Sequence, residues 1–286
     1  MGLRLVIAGM MAAGVSWGAQ AAVEESAPAR MLGKADPEFT IQSLPSGRFR
    51  AQMESLPYKA QARALAKLKE FEFPPEDVDS LHADASGGVC YSCEFHGMGS
   101  LAAATPEAGA PDPEFNATVP ISPFPTALHF HSRPGATNIL YLDFDGQTIT
   151  GTVWNVTVGR TSIPARPFSI DTNDFTFTDS EQTAIKRIWQ RVAEDYAPFD
   201  IDVTTERPAT ITRYTVHVLV TRSTDANGAV NPFSTAGGVS YVSYFGAPAS
   251  THAYYCPSWV YINNLTFNEG NIGEASSHEA GHFIGL

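Results

Sequence analysis

The nine residues His278-Glu279-Ala280-Gly281-His282-Phe283-Ile284-Gly285-Leu286 carry H-E-x-x-H followed three positions later by a glycine. On a helix, positions i and i+4 share one face about a turn apart, so the two imidazoles can converge on one tetrahedral Zn²⁺. Glu279 then stands beside the metal, placed to deprotonate a water that the cation has made acidic. Asn271 with Glu274 reads as an N-cap and N3 pair opening a helix over 275–284, and Gly285 supplies its stop.

Upstream, the hydrophobic pattern is regular. Residues 138–144 alternate as a strand with Leu140, Leu142 and Phe144 on one face, ending at the turn-former Asp145-Gly146. Thr178 and Glu181 predict a capping box for a helix running to Tyr196, whose apolar positions Ile185, Ile188, Trp189 and Val192 recur at three and four residues. Strands are expected at 201–205, 214–221, 239–244 and 259–263. The order is strand, helix, four strands, helix.

Three runs carry a family likeness: Ile139-Leu140-Tyr141-Leu142-Asp143-Phe144-Asp145-Gly146, residues 191–205 from Arg191 to Thr205, and Ser277-His278-Glu279-Ala280-Gly281-His282. Together they resemble secreted bacterial metzincin peptidases of reprolysin-like type, over residues 127–286. In thermolysin-like enzymes the third ligand is a Glu on a later helix, whereas a metzincin glycine breaks the zinc helix so that a further His can reach the metal. Gly285 fits the second pattern, and the likeness implies a further ligand and a Met-turn beyond Leu286. It also implies an α+β (or α/β) zincin catalytic domain, of which this chain carries the N-terminal half: a twisted mixed five-stranded sheet, a backing helix and a zinc helix. His278 and His282 would be the ligands and Glu279 the general base of a zinc endopeptidase. Val239, Ser240, Tyr241 and Val242 would lie on the edge strand that binds a protein or peptide substrate by strand addition. Two histidines alone hold zinc weakly, so this chain by itself is expected to retain zinc poorly and to turn over no peptide.

Two other chemistries compete. The stretch Leu142-Asp143-Phe144-Asp145-Gly146 also resembles the first motif of haloacid-dehalogenase-type phosphatases, with Asp143 as nucleophile and Asp145 as acid/base. That chemistry needs a downstream Lys, yet Lys186 is the only one after residue 137 and falls mid-helix. Asp143 and Asp145 read instead as solvated or structural residues at a strand end, candidates for a structural Ca²⁺. A zincin-fold protein that only binds is the other alternative.

Composition bounds the remainder. A formal charge of −12, with 18 Lys and Arg against 30 Asp and Glu, excludes a basic nucleic-acid groove. Residues 1–21 read as a secretory signal: Arg4, an apolar run from Leu5 to Val15, then Ala19-Gln20-Ala21 for cleavage. The run is too short to span a bilayer, so a secreted or periplasmic protein without a membrane anchor is expected. Residues 22–125 read as a pro-segment and linker with one amphipathic helix over 58–71, and residues 126–286 as the catalytic domain. Cys90-Tyr91-Ser92-Cys93 lies in an apparent loop, as a local disulfide, with no special role, or as a latency switch in which Cys90 or Cys93 ligates the zinc. Cys256 is left to pair elsewhere. The remaining histidines, including His82, His129, His131, His217 and His252, read as surface or structurally satisfied residues.

Overall fold

The computed structural model describes residues 31–94, 121, 123–171 and 173–286. The expected signal and most of the linker fall outside them. Residues 31–94 form β1 (Leu32–Gly33), α1 (Arg48–Ser55), α2 (Tyr58–Leu68), β2 (Glu72–Phe73), β3 (Leu81–Ala83) and β4 (Val89–Cys93). The remainder forms β5 (Asn138–Asp143), β6 (Gln147–Thr150), α3 (Val153–Val158), β7 (Ser162–Ala165), α4 (Asp179–Asp195), β8 (Ile201–Thr204), β9 (Thr215–Thr221), β10 (Gly238–Tyr241), α5 (Ala249–Tyr255), β11 (Ser258–Tyr261) and α6 (Glu269–Ile284).

A mixed sheet of seven strands organises this α+β fold, in the order β3-β4-β10-β11-β9-β5-β8. The pairs β5·β8, β5·β9 and β9·β11 are parallel, and β10 runs antiparallel to β11. Five strands were expected; the five come from residues 138–261, and the N-terminal region adds β3 and β4 beyond them. All residues of β8, β9, β10 and β11 are buried, as expected for strands covered on both faces.

Helix α4 forms as its sequence predicts. Thr178 caps it, and Glu181 reaches back to accept from the Thr178 N–H at 2.8 Å. Ile185, Ile188 and Val192 are buried beneath it. Helix α6 packs along α4, and the close approach depends on Gly273, where a Cβ would meet Arg191 Cδ at 2.9 Å. The start of α6 corrects the sequence reading: Asn268, not Asn271, is the N-cap, its Oδ1 accepting from Gly270 N at 2.9 Å and Asn271 N at 3.1 Å. Gly285 ends the helix at φ +96°, as the stop signal predicts.

Two apolar cores meet at the β4·β10 seam. One fills residues 124–283 and takes in Cys90; the other fills residues 32–91 and takes in Val242. The N-terminal region is therefore a folded unit with two helices, built onto the edge of the sheet.

Candidate metal centre

The site forms where α6 crosses beneath the end of β10. His278 and His282 point from one face of α6, their ring centroids 4.3 Å apart. Cys93, the last residue of β4, completes the cluster: its Sγ lies 3.2 Å from His278 Nε2 and 3.4 Å from His282 Nε2. Among the described residues this is the one group of three or more His, Cys, Asp or Glu whose ligand atoms all fall within 4.8 Å of one another. A tetrahedral zinc with ordinary Zn–S and Zn–N bonds separates sulfur from nitrogen by about 3.6 Å, so the donor set suits that ion in both type and spacing.

Glu279 sits behind the cluster at zero exposure, and neither carboxylate oxygen has a hydrogen-bond partner. The Cys93 thiol is the polar group that favours its charged form, while burial pushes its pKa well above the usual carboxylate range. Gly238 makes room for it: a Cβ there would meet Glu279 Oε1 at 2.5 Å. Burial also lowers the His278 imidazole, against the pull of Asp77, and brings His282 down to about 3. The Cys93 thiol is raised, again chiefly by burial. Three ligand atoms facing one another, each pushed toward its neutral form by burial, form a set suited to a cation.

No family model, curated protein or solved structure matches this chain. The site therefore has to be read from its own geometry.

Several sequence expectations change here. The Cys90–Cys93 stretch is a strand, not a loop, and its residues i and i+3 point to opposite faces. That separates the two thiols: Cys93 joins the imidazoles, Cys90 packs into the larger core, and all three cysteines are free. A local disulfide and a Cys90 switch are both removed. The expectation that two histidines stand alone is also revised, because Cys93 supplies a third donor from the same chain.

Val239, Ser240, Tyr241 and Val242 do not form an open edge. Strand β4 pairs antiparallel with β10 in the register Gly238↔Cys93, Val239↔Ser92, Ser240↔Tyr91 and Tyr241↔Cys90, and all four residues are buried. The N-terminal region fills the position the sequence reading gave to substrate. A loop after β10 then closes the end of α6: Ser243 N donates to His282 O at 2.9 Å, and Lys67 Nζ donates to Ser243 O at 3.0 Å.

Asp143 and Asp145 belong elsewhere. Asp143 is fully buried and accepts from His217 Nε2 at 2.8 Å, and Asp145 accepts from the Tyr141 hydroxyl at 3.1 Å. A nucleophilic carboxylate must touch its phosphate, so the phosphatase reading fails on burial. So does the reading of these residues as solvated. The expected Ca²⁺ has no donor cluster at this pair. His217 and His252 are enclosed, structurally paired residues; His252 Nε2 lies 2.9 Å from Thr215 O.

Sequence reasoning missed Tyr91, which stacks on His282, and the strand character of 89–93. A signal was present: Asp84-Ala85-Ser86-Gly87-Gly88 is turn-rich, and Val89, Tyr91 and Cys93 alternate behind it.

Proposed function

We propose that this chain is the latent precursor of a zinc-dependent endopeptidase with a metzincin-like catalytic domain, exported through its N-terminal signal. The convergence of Cys93 with His278 and His282 beside an unpartnered, buried Glu279 carries the reading. The five strands β5, β8, β9, β10 and β11, of which β10 alone runs antiparallel, backed by α4 and crossed by α6, support the family. His278 and His282 would hold Zn²⁺ in the working enzyme, with Cys93 as the latent form's additional ligand. When bound, the ion supplies Lewis acidity, polarising a carbonyl and making water more acidic at neutral pH.

The protein's own groups do the rest. Glu279 takes the proton of the attacking water and passes it to the leaving amine. Its buried position raises its basicity for that task. Strand β10 offers its backbone to an extended peptide once β4 has left. Until then Cys93 occupies the water's position and β4 occupies the peptide's, so one short segment blocks both.

Glu279→Gln tests the chemical role. In enzyme released from latency and carrying the further ligand that the family likeness implies, it should keep zinc and fold while peptide hydrolysis falls by about three orders of magnitude. Near-normal hydrolysis by the variant would refute the assignment.

A further inference from the structure

Strand β4 shows what kind of peptide the β10 edge accepts. In an antiparallel ladder alternate side chains share a face, so Val89, Tyr91 and Cys93 form one row and Cys90 and Ser92 the other. The first row faces the metal centre. Cys93 reaches the imidazoles, and two residues earlier the Tyr91 ring lies flat on His282, with centroids 4.3 Å apart and planes within 7°. Tyr91 keeps only 5% of its exposure. Phe71 of the N-terminal region also approaches the ring, at 6.1 Å, but leaves with that region; the His282 face stays.

The ladder fixes the spacing. Tyr91 pairs with Ser240 and Cys93 with Gly238, so any strand bound here in the same direction places a side chain over His282 two positions before the residue at the metal. A flat ring over a flat imidazole gains stacking beyond its buried area, which an aliphatic chain does not. We infer that the cleft along β10 selects extended peptides carrying an aromatic residue two positions N-terminal to the residue at the metal, with His282 as the floor of that subsite. This inference rests on the hydrolase reading above, and β4 is the built-in replica of such a peptide.

The test uses peptide binding rather than turnover. The full chain carrying Tyr91→Pro and Cys93→Ala, so that its own β4 can no longer pair with β10, is held in excess Co²⁺ and titrated with the nonapeptide matching residues 86–94, its Cys90 position replaced by alanine. Thiolate-to-cobalt absorption reports the peptide sulfur reaching the metal. The peptide with tyrosine at position 91 should produce the band at about tenfold lower concentration than its alanine counterpart. Phenylalanine should match tyrosine, and the reversed sequence should give no band. Equal titrations for tyrosine and alanine, or no band with any peptide, would overturn the inference. A second host carrying Ser92→Pro with Cys93→Ala serves if the first does not fold. Absence of the band in the unaltered chain would instead refute the metal reading, so the two failures are distinguishable.

Discussion

The sheet buries histidine and carboxylate in two places, and the two differ in what the groups face. At its centre His217 meets Asp143 at 2.8 Å and Tyr141 meets Asp145 at 3.1 Å, so donors face acceptors. Burial there pushes His217 down to about 3 and Asp145 up to about 8. At its edge two imidazole nitrogens and a sulfur converge on one point, and the carboxylate behind them has no partner. Shifted protonation alone therefore does not mark a working site. Convergence of ligand atoms on one point does.

Perturbing the two places should give different signatures. Asp143→Ala strands a buried neutral imidazole, so it should cost about 1–3 kcal/mol of unfolding free energy in denaturant titration. Metal bound per folded molecule should not change, and a loss of metal without a loss of stability would break the contrast. Gly238→Ala drives a methyl group against the Glu279 carboxylate and should destabilise by about 1–3 kcal/mol, with displacement of that side chain. A fully tolerated alanine would mean that Glu279 is not held where the site needs it.

The smallest effect sharpens the electrostatics. Burial holds the Cys93 thiol protonated in the metal-free state and pushes the Glu279 carboxyl upward, while His282, at about 3, carries no proton to lose at pH 7. Zinc uptake must then release protons, so affinity rises with pH and falls on acidification. Calorimetry in buffers of different ionisation enthalpy should count about one proton more released at pH 7 for the unaltered chain than for Cys93→Ala. The same count for both would show that the thiol gives up no proton to the metal.

Much of the scaffold was legible because its signals are local. Thr178 and Glu181 three positions apart, the apolar spacing of α4, and the Gly285 stop each act within a turn or two of helix. The start of α6 was misplaced because Asn268 and Asn271 offer the same capping chemistry, and Asn271 spends its own N–H on Asn268. The imidazole pair and Glu279 were legible from one pentapeptide. The third donor was not, since its place depends on β4 pairing with β10 across a long stretch of chain, and no short window encodes that register. The burial of Asp143 with His217 escaped for the same reason: the two meet only when β5 and β9 lie side by side.

The central claim is that Cys93 joins His278 and His282 at one metal, and cobalt substitution tests it most directly. The full chain should bind one Co²⁺ with an intense near-ultraviolet thiolate band and visible absorption of a tetrahedral site. Cys93→Ser should abolish that band, while Cys90→Ser should leave it intact. A band that survives Cys93→Ser, or disappears with Cys90→Ser in a folded chain, would contradict the account.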